Sequence, residues 1–231
     1  MLYLSYYMVL TISISYTIIR RFSQRRKGEI IMQILKTLPE GYSVIKRIHK
    51  KQLTTNIAII AIGAFIMCTM AYIMDTFFVP IKSYFNSIQN TQEHIWAYLS
   101  VILFVCIYVI FHELLHGMFM KLYGVKKVFY SYNGILSYAY SNEFIPKRYY
   151  TIITIAPFVI CGILLLILNH IVSVKYFWLI YSIQIFNFAY SLGDAYLILL
   201  LNKTPHDTLI SNENSSKCFY SKSFSIEDSY E

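Results

Sequence analysis

The sequence is poor in charge. Only 14% of its 231 residues are Asp, Glu, Lys or Arg, where a soluble domain carries about a quarter. So few charges cannot cover a water-facing surface, which excludes an ordinary soluble globule. Cysteine is scarce as well: Cys68, Cys106, Cys161 and Cys218, with no CxxC pair among them. Three of the four lie inside apolar runs, so they read as buried free thiols. Acidic residues number 12 against 20 basic ones, for a formal net charge of +8. The basic residues lie between hydrophobic runs, which argues against a nucleic-acid surface and for membrane topology. No internal repeat and no low-complexity stretch is present.

Apolar residues make up 57% of the chain and gather in long runs. A run of 18 or more with few charges is long enough to cross a bilayer. Five candidate spans follow. The first, Leu2 to Ile19, ends at Arg20 and Arg21, is rich in Tyr, Ser and Thr, and is the weakest. It lacks the basic leading region and small-residue cleavage site of a signal peptide. The others are Thr55 to Met74, Ile95 to Phe119, Thr151 to Val172 and Phe177 to Leu201.

Lys and Arg number ten between Arg20 and Lys51, and one, Lys82, in the next loop. Five follow the third span: Lys121, Lys126, Lys127, Lys147 and Arg148. One, Lys175, comes next, and the tail holds Lys203, Lys217 and Lys222. Alternate loops therefore hold eighteen against two. The positive-inside rule puts the rich loops in the cytoplasm. Between Val125 and Tyr140, aromatic and β-branched residues flank Asn133-Gly134, which predicts a β-hairpin beside the third span.

The expected fold is an all-α membrane protein. It has four core transmembrane helices, an N-terminal candidate fifth, and a short β-hairpin near the cytoplasmic face. Residues 1–31 form the extra segment, 32–203 the membrane-embedded core, and 204–231 a polar, loosely ordered cytoplasmic tail. The Ile-, Lys- and Tyr-rich composition points to a bacterial plasma membrane.

The third span contains His112-Glu113-Leu114-Leu115-His116. Residues i and i+4 lie on one helix face, so two imidazoles can reach one zinc ion, with Glu113 beside them as general base. Zinc brings the pKa of water toward neutrality. Ionised groups inside hydrocarbon cost about 2.5–3.5 kcal/mol each on insertion scales, so they mark function. A catalytic zinc takes three protein ligands. Asp194, the only acidic residue inside the last span, supplies a third candidate. His112 and Asp194 are each the 18th residue of their spans, and both spans run inward, so the two lie at equal depth.

Asn187, Ser191 and Asp194 stand at i, i+4 and i+7 on one face. They could hydrogen-bond behind the ligands or to a substrate backbone, or form a polar seam between helices. Gly193 is read as admitting a close backbone, and Pro157 as kinking the fourth span. His49, His94, His170, His206, Asp75 and Glu143 are read as solvated.

HELLHG on one membrane helix, followed by a helix and then one carrying an aspartate, resembles the three-helix core of site-2-protease-like intramembrane metalloproteases. It resembles still more a bacterial family of multi-spanning zincin-type peptidases, from about Leu38-Pro39-Glu40 to the tail. The shared features are HELLHG, Ala156-Pro157, the Asn187/Ser191/Gly193-Asp194 pattern and the polar segment after the last span. The resemblance implies zinc ligands at His112, His116 and Asp194, with Glu113 catalytic. Gly193-Asp194-Ala195 departs from the Leu-Asp-Gly order of site-2 proteases. Residues before Met32 lie outside the resemblance.

The expected activity is Zn2+-dependent hydrolysis of peptide bonds in transmembrane or juxtamembrane segments, in the cytoplasmic half of the bilayer. The expected partners are lipid and such a peptide, with no nucleic acid. The alternative is a non-catalytic zinc-binding membrane protein with an immunity, scaffold or sensor role. It needs a fourth protein ligand, and Cys106, six residues before His112, fits poorly. Too few acidic and His residues recur across the spans for a metal transporter.

Overall fold

The computed structural model describes residues 34–49, 53–86, 91–132, 137–213 and 216–222. The expected first span and the Asn133-Gly134 turn lie outside the described residues. Helix α1 (Leu53–Phe77) leads into the short α2 (Ile81–Asn86). Asp75 is not merely solvated: its Oδ1 accepts the Ile81 N–H at 2.6 Å and caps α2. Then come α3 (Thr91–Leu122), α4 (Lys147–Ile171), α5 (Val174–Tyr190) and α6 (Leu192–Asn202).

Four stretches are long and apolar enough to cross a membrane: Ile57–Phe77, Gln92–Leu122, Lys147–Ile171 and Val174–Asn202. The shortest has 21 residues. At 1.5 Å per residue that is about 31 Å, the thickness of a bilayer's hydrocarbon core. Helices α1 and α3 leave Phe65, Tyr72, Ile102 and Ile110 exposed. Apolar surface of that density suits lipid and not water. Helix α5 packs on α1, α3 and α4, and α3 also packs on α4. Tyr108, Leu115, Cys161, Leu165 and Ile183 form a core between α3, α4 and α5.

The last span is not one helix. It breaks at Ser191, which adopts φ −75° and ψ 0° between α5 and α6. Gly193 does not admit a close backbone, since a Cβ there would meet nothing within 4 Å. The close approach is at Gly63 of α1, whose Cβ would lie 3.3 Å from that of Ala189.

The fold is not all-α. Strands β2 (Phe129–Tyr132) and β3 (Ser137–Tyr140) pair antiparallel and form the expected hairpin. A second sheet of four strands has no counterpart in the expected fold. Its order is β1 (Ser43–His49), β6 (Ser216–Ser221), β5 (Leu209–Glu213), β4 (Ile145–Pro146), all antiparallel. The segment after Lys203 thus contributes two strands among its described residues. The reason is a short alternation that polar neighbours obscure. Ile210 and Phe219 turn toward Met120, Val125, Tyr150, Ile153, Leu197 and Leu201 at the helix ends. Leu209, Cys218 and Tyr220 turn the other way, onto Phe144. Successive strand residues face opposite sides, so both faces of the sheet are covered.

Strand β1 precedes α1, β4 lies between α3 and α4, and β5 and β6 follow α6. One sheet thus gathers the three Lys/Arg-rich segments at one end of the helices. All four cysteines are free; Cys161 and Cys218 are buried as expected, but Cys68 and Cys106 are exposed.

Candidate metal centre

Helix α3 carries Tyr108, His112 and His116 at intervals of four, so the three share one face. That face turns inward: His112 is 0% exposed, Glu113 7% and His116 8%. Asp194 stands in the first turn of α6. Its Oδ2 lies 3.2 Å from His112 Nε2 and 3.3 Å from His116 Nε2. The helix break and the chain return thus bring Asp194 to a histidine pair that begins 82 positions earlier in the sequence.

Hydrogen bonds on the far side of each ring decide which nitrogens face Asp194. His116 Nδ1 lies 2.9 Å from the Ile153 carbonyl oxygen. A carbonyl only accepts, so Nδ1 carries the proton and Nε2 offers a lone pair. His112 reaches the same state by a longer route. Asn187 Nδ2 donates to the Phe158 carbonyl at 3.3 Å, which leaves Oδ1 as the acceptor. Tyr108 donates its hydroxyl proton to that Oδ1 at 2.7 Å. The Tyr108 oxygen then accepts from His112 Nδ1 at 2.9 Å, and His112 Nε2 is the lone-pair nitrogen.

Two imidazole lone pairs and a carboxylate oxygen therefore face one another in a buried place. They repel unless cationic charge, as protons or a metal ion, sits between them. Tetrahedral zinc with bonds of about 2.0–2.1 Å holds its donors about 3.3 Å apart, and the two separations here match. The donor set of two imidazoles and one carboxylate also suits zinc. His112, His116 and Asp194 fit the metal that the motif implies.

Glu113 offers a second carboxylate: its ligand atom lies within 4.8 Å of those of His112 and His116. Both its oxygens are already engaged. Oε2 accepts the Ala139 N–H of β3 at 2.7 Å, and Oε1 accepts the Tyr190 hydroxyl at 3.0 Å. Tyr190 also meets Ser137 Oγ at 2.7 Å, and its ring stands edge-on to His112. These contacts hold Glu113 to the side and suit a base better than a ligand.

The hairpin sits directly on the motif. A Cβ on Gly117 would overlap the Tyr130 hydroxyl and ring, so glycine makes room for the Tyr130 side chain against α3. Asp194 is 24% exposed, so the centre is not sealed.

Asn187 is buried against Tyr108, not aimed at Asp194. Ser191 is buried at the helix break. Cys106 is exposed and away from the centre. Glu143 is not simply solvated; it accepts the backbone N–H groups of Lys126 and Lys127 at 3.0–3.1 Å and closes the turn after α3. His94 stacks on Phe85, while His170 and His206 are exposed. The sequence reading missed Tyr108, Tyr190, Ala139 and the Ile153 carbonyl. Two of these left a signal: Tyr108 stands four residues before His112, and Ile153 four residues before Pro157.

A family described as "Putative zincin peptidase" has a model that matches residues 104–209. That stretch holds all four residues of the site. No curated protein and no solved structure matches the chain.

Proposed function

We propose that this protein is a membrane-embedded zinc metallopeptidase that hydrolyses peptide bonds in transmembrane or juxtamembrane segments. The observation that carries the reading is the convergence of His112, His116 and Asp194 with Glu113 held beside them. The family match and the four apolar helices support it. His112, His116 and Asp194 would hold the ion. When bound, zinc would supply a Lewis acid and a water acidic enough to lose a proton near neutral pH. Glu113 would be the general base and acid, moving a proton from water to the leaving amine. Tyr190 and the Ala139 N–H keep its carboxylate aimed.

A helical substrate shields its peptide bonds, so the scissile segment must be extended. The Ala139 N–H points away from β2 and toward Glu113, so the outer edge of β3 faces the site. An extended substrate adds to that edge as a further strand. The positive-inside rule makes the Lys/Arg-rich end of the helices the cytoplasmic one.

The rival reading is a structural zinc site, with Glu113 as a fourth ligand. Zinc content of the detergent-purified chain separates the two. One zinc per chain, lost in His116→Ala and Asp194→Ala but kept in Glu113→Gln, supports the peptidase. Loss of zinc in Glu113→Gln would favour the structural site, and a zinc-free parent would defeat both.

A further inference from the structure

Pro157 lies inside α4 and is fully buried. In an α-helix the N–H of residue i bonds the carbonyl of residue i−4. For residue 157 that carbonyl belongs to Ile153. Proline has no N–H, and its ring presses against the i−4 carbonyl and tilts it off the helix axis. The Ile153 carbonyl is thus denied its ladder partner by the sequence. In an apolar setting such an orphan must find a donor elsewhere. It finds His116 Nδ1, at 2.9 Å.

We infer that Pro157 is a positioning residue of the metal centre: by withholding an N–H it reserves the Ile153 carbonyl for His116 and sets that ring's tautomer. The inference rests on the zinc reading of the site. Helix α4 serves the other histidine too, through the Phe158 carbonyl, Asn187 and Tyr108. There the close approach depends on Gly162, whose Cβ would lie 3.4 Å from Asn187 Nδ2. One membrane helix, broken in its hydrogen bonding at one point, thereby orients both rings. Proline serves here for the bond it leaves unmade.

Pro157→Ala returns the missing N–H. The helix then competes for the Ile153 carbonyl, and His116 loses its fixed partner. Removing such a partner lowers metal affinity by about 10- to 100-fold. The full-length chain in detergent, titrated with zinc against a chromophoric chelator, should show that loss with helix content unchanged. A second variant separates the N–H from the ring. Lactic acid in place of Pro157 gives an ester that lacks both, and it should bind zinc like the parent. The 15N shifts of His116 in the metal-free chain should report Nδ1–H in the parent and the ester, and mixed tautomers in Pro157→Ala. Parent-like affinity and tautomer in Pro157→Ala would overturn the inference. So would an ester as weak as the alanine variant, because the ring would then matter and not the N–H. A parent that takes up no zinc would bring down the peptidase reading itself, a failure visible before any variant is compared.

Discussion

The Ala139 N–H donates to Glu113 Oε2 at 2.7 Å, tying strand β3 to the carboxylate beside the histidine pair. Ala139 faces Tyr130 across the hairpin, but its N–H points outward and takes no part in the ladder. Proline is tolerated where a strand's N–H is not used in pairing. Ala139→Pro should therefore delete one donor while leaving the hairpin standing. Hydrogen bonds to charged groups are worth about 1.5–3 kcal/mol, so turnover should fall about 10- to 100-fold. Zinc content should hold, and unchanged turnover would remove this bond from the mechanism.

Gly117 and Tyr130 share one volume. Gly117→Ala should push the half-exposed Tyr130 side chain off α3 and lower turnover of long substrates modestly while leaving zinc bound. Tyr130→Ala in the same chain should restore part of the loss. Contacting residues couple by about 0.5–3 kcal/mol, and a double-mutant cycle on turnover measures it. Additive effects would mean that the two residues do not meet in the working protein.

The hairpin edge also predicts a dependence on substrate length. Disrupting β2–β3 pairing at Ser131 or Tyr138 should impair long peptides more than short ones. Only a long peptide can add a full strand to β3. Equal loss on both, read as kcat/KM, would sink strand addition.

Tyr108→Phe removes the hydroxyl between His112 and Asn187 and leaves the ring in place. The His112 tautomer is then unguided, and zinc affinity should fall about 10- to 100-fold. Chelator competition provides the measurement. Unchanged affinity would show that burial alone orients His112.

Phe219 is fully buried where the sheet meets Ile153 and Leu201. Truncating a buried Phe costs about 3–5 kcal/mol. Phe219→Ala should lower the thermal unfolding midpoint in detergent and weaken zinc binding through the Ile153 neighbourhood. A silent substitution would mean that the segment after Lys203 is as loose as its polar composition suggests.

Local pattern determined much of this protein. The apolar runs specify four membrane-length helices, because in lipid only a helix can satisfy its own backbone. The i, i+4 histidines and Glu113 follow from one helical turn, and the matching depth of Asp194 from counting along two spans that run in the same direction. The hairpin was legible from aromatic and β-branched runs around Asn-Gly. What remained hidden depends on partners far along the chain. The four-stranded sheet joins Ser43–His49 to Ser216–Ser221, and no local period announces a pairing across some 170 residues. Tyr190 could not be assigned to Glu113 until α5 lay against α3, nor Ala139 until the hairpin folded back. Pro157 shows the division most sharply. Its missing N–H, and therefore a free Ile153 carbonyl, is written in the sequence; that His116 receives it was decided only when α3 packed against α4.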